Sequence, residues 1–386
     1  MSHTRSSGSA LIRTACACGV WVLMLMGQVG TAAAHHAAAP HFDTERSITL
    51  SGVVTRFEFV NPHAYVYFTV RGADGKAAPW RCELASRTSL GRLGWTQDLF
   101  TPGLQLTIKG APARREANVC MLTSFVRSDG VEISRNEDIS GLRSVPPVAA
   151  PVGALADARP ARLPNGQPNL SGAWLGAGRG GPPGRGRPGG QGRGGPGGPG
   201  GPRGGRGGPG FPEAAPAGAE AAKRYDQRFD DPAIKCHPAN IIFGWTHDQH
   251  VNEITQKGND VTLRYGYMDL VRTVHLNAAH PNRIASSTAG HSTGTWDGDT
   301  LVVDSVGFKP SVLIPIAGIM HSDQIHVVER FTVDPLARTL TRAYRVEDPL
   351  YLASPYTGTD VMTVSAEPYT PYKCVELSGK NNERPK

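Results

Sequence analysis

The stretch AYVYFTVRGADGKAAPWRCEL, residues 64–84, decides how the chain is read. Residues 64–70 are dense in aromatic and β-branched side chains and read as a strand. Ala73-Asp74-Gly75-Lys76 reads as a hairpin turn, with Gly75 where a positive φ is needed. Residues 80–84 are the returning strand. Upstream, residues 48–59 largely alternate apolar and polar side chains, as a half-buried strand does. Gly52 interrupts that alternation, and a bulge is expected there. Downstream, residues 86–94 predict a short helix capped by Ser86, with Gly91 counting against it. Pro102-Gly103 turns into a strand at 104–109, and another follows at 120–126.

Three strands, a short helix and two more strands predict a small five-stranded barrel of the oligonucleotide/oligosaccharide-binding (OB) type. Closure removes the exposed edges that such short strands would otherwise leave. The chain after Pro168 is again β. Strands are expected at 251–256, 261–267, 270–276, 294–296, 301–304, 325–333, 339–346 and 360–367, with turns at Gly258-Asn259-Asp260, Asp297-Gly298 and Asp334-Pro335. Sequential hairpins of this kind predict a larger antiparallel, lipocalin-like barrel or a curled sheet, so the fold class is all-β. Gly172-Ala173-Trp174 opens this half in the Gly-x-Trp manner of lipocalin-like barrels.

The first 34 residues have the order of a cleavable secretory signal peptide. Arg5 and Arg13 precede an apolar run at 15–26, and Ala32-Ala33-Ala34 supplies a cleavage site. The run is shorter than the roughly 20 residues that span a bilayer. No later segment is apolar enough to span, so a periplasmic or secreted protein is expected. The domain layout is then a signal peptide at 1–34, an OB-like domain at 35–143, a Pro/Ala-rich linker at 144–168, and a β domain at 169–376. Residues 176–210 form a Gly/Pro/Arg-rich insertion within the last, holding 20 of the 47 glycines. It has too few apolar side chains to offset the entropy of ordering.

The formal charge of +7 suggests nucleic acid, but the cations are misplaced for that. Arg5 and Arg13 leave with the signal, and the arginines at 179, 185, 187, 193, 203 and 206 lie in the insertion. Removing these eight leaves −1 for the folded parts, which implies no basic face and no nucleic-acid partner. The insertion is expected to touch envelope glycan or anionic lipid if it touches anything. Of six cysteines, Cys16 and Cys18 leave with the signal. The remaining four allow three connectivities, and splitting them by domain gives Cys82–Cys120 and Cys236–Cys374. Their spacing is not that of a structural zinc site.

Several of these residues follow one another in a familiar order. His35-His36, Phe42-Asp43, Leu50-Ser-Gly-Val-Val54, Asn61-Pro62-His63-Ala64, Trp80, Glu83-Leu84, Leu93-Gly94-Trp95-Thr96 and Pro102-Gly103 together resemble a family of secreted bacterial domains of unknown function. The resemblance covers about residues 35–130. Family members begin near His-His-Ser-Phe, whereas Ala37-Ala38 stands here in place of Ser-Phe. The C-terminal half resembles a second uncharacterised exported family, through Leu170-Ser-Gly-Ala-Trp174, Trp296-Asp-Gly-Asp-Thr-Leu-Val-Val-Asp304, Val306-Gly307-Phe308, His321-Ser322-Asp323 and His326-Val-Val-Glu-Arg330. Both resemblances imply export and β architecture, and neither implies an activity.

Three constellations carry chemistry. Cleavage after Ala33 leaves Ala34-His35-His36, whose amine, two amides and third-position imidazole form a square-planar nitrogen set for Cu(II). Cleavage after Ala34 leaves His35 at the terminus, where its amine and ring chelate copper with His36, His41 or His63 completing the site. The competing reading is a frayed polar terminus without metal. Second, Pro62 breaks the ladder between two strands and displays His63 at the barrel mouth. There it serves a ligand or metal, or its ring holds the turn. Third, His321, Asp323, His326, Glu329 and Arg330 crowd one strand region. On a strand His326 points with Arg330 and Glu329 points oppositely. His321, Asp323 and His326 are the candidate acid–base residues, in a set that faces the barrel lumen, with His291 and Asp304 joining from neighbouring strands. The competing reading is an exposed strand face with solvated charges. His247, His250 and Glu253 have metal-like spacing only on a helix, and here they enter a strand. The expected function is an exported envelope protein that binds a metal ion (copper) or a small ligand. The alternative is a lipocalin-like isomerase, hydratase or hydrolase, which a polar lumen would favour and an apolar lumen would not. The chain has no serine nucleophile elbow, phosphate loop or dinucleotide fingerprint.

Overall fold

β1 (Ile48–Glu58) is long enough to serve two neighbours, and the small barrel is built around it. The computed structural model describes residues 40–72, 74–127, 129–142, 159–176 and 211–375. β2 (Tyr65–Arg71) and β3 (Ala77–Glu83) form the hairpin, α1 (Arg87–Arg92) follows, and β4 (Gln105–Pro112), β5 (Val119–Val126) and the short β6 (Glu132–Ser134) complete the unit. The strand order is β3-β2-β1-β4-β5-β6, and β3 also pairs with β5, so five strands close into the expected barrel. The closing pair is parallel and sets Cys82 directly opposite Cys120. These two form a disulfide with Cα atoms 4.4 Å apart, so the crosslink sits on the seam.

The bulge in β1 lies between Val54 and Arg56 rather than at Gly52. Gly52 answers a different need, because a Cβ there would stand 2.5 Å from the Thr69 carbonyl oxygen. The helix begins as expected, with the Ser86 hydroxyl accepting from the Ser89 amide at 3.0 Å. Leu90 on α1, Trp95 and Phe100 pack with Val66, Phe68, Ile108 and Phe125 in the barrel core. Burying each such side chain contributes roughly 1.5–3 kcal/mol.

The larger half contains β7 (Gly172–Gly176), α2 (Pro216–Ala222), α3 (Gln227–Asp230), β8 (Val251–Lys257), β9 (Asp260–Arg264), β10 (Val271–Leu276), β11 (His291–Asp297) and β12 (Thr300–Val306). β13 (Ser311–Ile314), β14 (Ile319–His321), β15 (His326–Asp334), β16 (Thr339–Glu347) and β17 (Tyr356–Val364) follow. Nine of these strands close in the order β10-β11-β12-β15-β16-β17-β7-β8-β9, while β13 and β14 make a separate hairpin. Trp174 on β7 is buried where the barrel closes, its indole N–H donating to the Leu170 carbonyl at 2.8 Å.

Two expectations are corrected here. The strands are not all sequential hairpins, because β10 and β11 pair in parallel. A parallel pair needs a crossover of about a dozen residues, which residues 277–290 supply. The hairpin β13–β14 was not anticipated, since its segments are short and interrupted by Pro315 and Gly318. In the expected linker, residues 159–168 form a turn of their own. Leu163 N–H donates to the Gln167 carbonyl at 2.8 Å, and Arg162 pairs with Asp299 at 2.7 Å. Residues 144–158 and the insertion beyond Gly176 lie outside the described residues.

The lumen of the large barrel is filled by Val261, Leu263, Val274, Leu301, Val303, Val327, Phe331 and Leu340, among others. Inside this apolar packing sits a charged triad. Glu329 pairs with Arg272 at 2.6 Å and with Arg342 at 3.3 Å, and all three side chains are 1% exposed or less. Arg342 also pairs with Asp360 and donates to the Ile241 and Ile242 carbonyls at 3.0 and 3.2 Å. As expected from strand parity, Glu329 points oppositely to His326 and Arg330, and of the two faces it is the one bearing Glu329 that turns inward.

The two barrels belong to one compact unit, His35–Lys386. Cys236 and Cys374 form the second disulfide, with Cα atoms 5.6 Å apart. It fixes the C-terminal segment, which bridges to Asn61 of the small barrel.

Candidate functional site

Asn61-Pro62-His63 separates β1 from β2 through a cis Asn61–Pro62 bond. Asn61 is buried and anchors the turn. Its side chain accepts from the Thr88 amide at 3.2 Å and donates to the Tyr372 carbonyl at 2.8 Å. His63 is thereby presented to β3, where its Nδ1 lies 3.1 Å from Glu83 Oε1. The other Glu83 oxygen accepts from the Tyr65 hydroxyl at 3.2 Å. The ring of His63 thus pairs with a carboxylate rather than with backbone.

His41 reaches the same mouth from the other side. Arg114 N–H donates to the His41 carbonyl at 2.9 Å and Asp43 N–H to the Pro112 carbonyl at 2.8 Å, so this segment extends the end of β4. The His41 Nδ1 is buried without a hydrogen-bond partner. Burial pulls its imidazole below the usual value; Glu83 opposes this, and nearby His63 and Arg228 add to the lowering. Asp231 faces His63 from the segment after α3, and burial holds its carboxyl above the usual range. Burial, with Glu83 second, holds the Tyr65 hydroxyl protonated. Of the four expected metal ligands, His63 pairs with Glu83, and His41 lies close enough to feel the charge of both. His35 and His36 lie outside the described residues.

A second histidine cluster lies on the outer face of the large barrel. Asp304 on β12 accepts two imidazoles, His280 Nε2 at 3.0 Å and His326 Nε2 at 2.9 Å. His280 comes from the crossover between β10 and β11, and its Nδ1 lies 2.7 Å from His291 Nδ1. His275, opposite Asp260 in the β9–β10 register, takes that carboxylate on Nδ1 at 2.9 Å. Ring centroids of His275 and His291 are 5.4 Å apart, and those of His280 and His291 are 4.9 Å apart. Among the described residues, no group of three or more His, Cys, Asp or Glu side chains is placed so that it could hold a metal ion.

The three expected acid–base residues are not one group. His321 is buried on β14, with its Nδ1 3.1 Å from the Ser322 carbonyl, and burial lowers its pKa. Asp323 is exposed in the turn that follows. His326 alone joins an acid–base cluster, with Asp304, while His291 enters through His280. The structure turns His291, Asp304 and His326 to the outer face and not to the lumen, and His280 sits in a crossover with no periodicity to place it. Nor did the pattern reveal Asp248. Burial opposes its ionisation, yet hydrogen bonding and charge from His250, with Ser89, hold its carboxyl below the usual value. It accepts from Ser86 and Ser89 of α1 at 2.8 and 2.5 Å and from the Tyr372 hydroxyl at 3.1 Å. His250 is spent on this hub, and Glu253 pairs with Arg264 at 3.4 Å on the outer face. Two open clefts of about 530 and 590 Å³ lie on the small barrel, beside Phe57 and Gln97 and over Gly52 and Thr69, and neither is lined by these histidines.

Among the described residues no helix is long and apolar enough to cross a membrane. No curated protein and no solved structure matches the chain. Residues 23–121 match the model of a family of unknown function, DUF6152. The match takes in His35, His36, His41 and His63 and runs into β5, and the large barrel lies outside it. It supports the resemblance of the N-terminal part to an uncharacterised family.

Proposed function

We propose that this protein is an exported envelope protein that binds copper at the mouth of its small barrel, through the amine and histidines released by signal cleavage together with His63 or His41. The observation that carries this reading is the buried, unpartnered His41 Nδ1 beside the His63–Glu83 pair, a few residues after His35-His36. A carboxylate on one ring nitrogen orients a ligating histidine and raises its basicity, and Glu83 does this for His63. Ligation needs neutral imidazole, which burial favours at His41. The two disulfides fit an oxidising compartment.

Two measurements on the mature protein test this reading. N-terminal sequencing should find Ala34 or His35 first. Cu(II) titration followed by electron paramagnetic resonance should show one equivalent in a nitrogen-rich site. His35→Ala with His36→Ala should abolish it, and Glu83→Gln should weaken it by about 10–100-fold. A terminus several residues further on, or stoichiometric copper unaffected by the double substitution, would overturn the proposal.

A further inference from the structure

We infer that the His280–His291 pair is an acid-released latch, which holds the crossover between β10 and β11 against the large barrel and lets it go as pH falls. It is independent of the copper reading. The crossover, residues 277–290, is tied at its ends by backbone. Asn277 N–H donates to the Gly294 carbonyl at 2.8 Å, Ser287 N–H to the Gly307 carbonyl at 3.2 Å, and Lys309 N–H to the Ser287 carbonyl at 2.9 Å. Among the described residues, 278–286 make no backbone–backbone hydrogen bond. The His280 ring supplies their polar hold on the barrel, and Ile284 packs so closely over Gly307 that a Cβ there would stand 2.4 Å from it. The seam that the crossover serves is short, with three parallel pairs from Val274–Ser292 to Leu276–Gly294.

The latch depends on a proton count. His280 Nε2 lies 3.0 Å from Asp304 Oδ1 and so carries the ring hydrogen. His280 Nδ1 is then the acceptor, and His291 Nδ1, 2.7 Å away, is the donor. The contact holds one hydrogen between two nitrogens. One added proton is accommodated, because His291 takes it on Nε2 and goes on donating from Nδ1. A second goes to His280 Nδ1. It sets two N–H groups and two cations against each other, and the contact breaks. The His280 side chain is 24% exposed, so protons reach it from solvent.

The charged groups around the pair are already engaged. Asp304 on β12 accepts from His280 and from His326 of β15. Glu347 on β16 pairs with Arg345, and Asp260 on β9 with His275 of β10. Acid therefore adds cations beside the pair, at His275 and His326, and no spare carboxylate meets them. Burial, with His280 and His275 after it, lowers the His291 pKa in the closed form. A base lowered in this way binds fewer protons closed than open. Closure is thus fully held above the ordinary histidine value of about 6.5 and weakens as pH falls below it. Each proton that only the open pair holds raises the open fraction by up to about tenfold per pH unit.

Hydrogen exchange read by mass spectrometry tests the latch on the full mature chain, with a chelator present and rates corrected for their intrinsic pH dependence. Peptides carrying the Ser287 and Lys309 amides report the open fraction, and those of β16 report the barrel as a whole. In the parent, protection at Ser287 and Lys309 should fall by roughly tenfold or more between pH 7 and pH 5, while β16 stays constant. His291→Asn puts an amide N–H in place of Nδ1–H and takes no proton, so it should keep the protection and flatten the pH profile. His280→Ala removes the tether and should be poorly protected already at pH 7. Circular dichroism verifies that both variants fold. A change below about threefold in the parent, a slope retained in His291→Asn, or an equal loss at β16 would overturn the latch.

Discussion

At the residue scale, the most demanding position is Glu329. Strand alternation sets it opposite to His326 and Arg330, and the structure shows that its face is the inward one. Its partners were not legible, because Arg272 and Arg342 meet it across a closed barrel and no local spacing encodes that meeting. Removing one member of a buried ion network leaves an uncompensated charge, which costs about 3–5 kcal/mol. Glu329→Ala is therefore expected to lower unfolding free energy by that amount in urea denaturation. Arg272→Met combined with Glu329→Leu should recover most of it, since replacing paired charges by apolar groups of similar volume is often neutral. If the double variant is as unstable as the single one, buried charge is not the cause. The candidate site shows the same contrast. His63 was readable because proline breaks a ladder and exposes its neighbour. His280 was not, because its placement depends on a crossover that no periodicity marks.

At the element scale, the small barrel was legible nearly strand by strand. Its β2–β3 hairpin, short capped helix and later strands each carry their own alternation or turn residues. The bulge was misplaced for a physical reason. A glycine in a strand signals either an extra residue or a close backbone approach, and Gly52 is the second case. Parallel pairing escaped the sequence twice, at β3–β5 and β10–β11, because partners that are distant in sequence leave no turn between them. The β3–β5 seam is the weaker join, and Cys82–Cys120 lies on it. The disulfide closes a segment of 38 residues, for which chain-entropy reasoning gives about 4 kcal/mol. Cys82→Ser with Cys120→Ser should lower stability by roughly 2–4 kcal/mol. In hydrogen exchange, amides of β3 and β5 should lose protection first. Uniform loss across both barrels would show that the crosslink does not act on the seam.

At the scale of the whole molecule, the two barrels are tied through Asp248, and this makes their stability depend on acid. The carboxylate receives Ser86 and Ser89 from α1, His250 from its own segment and the Tyr372 hydroxyl from the C-terminal segment. Tyr372 in turn offers its carbonyl to Asn61, so one acidic side chain connects three parts of the fold. Sequence reading placed the neighbouring histidines but not this residue, whose role exists only once distant segments converge. Its folded pKa lies below the unfolded value of about 3.9. A depressed carboxylate contributes stability that is fully present above the unfolded pKa and is lost as pH falls through the folded one. Asp248→Asn is thus expected to cost about 2 kcal/mol at pH 7, the scale of charge-assisted hydrogen bonds lost in a buried place. The difference from the parent should stay constant down to about pH 4 and shrink below it, as the parent's own carboxyl protonates. Thermal unfolding of both proteins between pH 7 and pH 2.5 measures that difference directly. A gap that persists unchanged at the acid end would mean that Asp248 acts by shape and not by charge, and the acid-sensitive link between the barrels would have to be sought elsewhere.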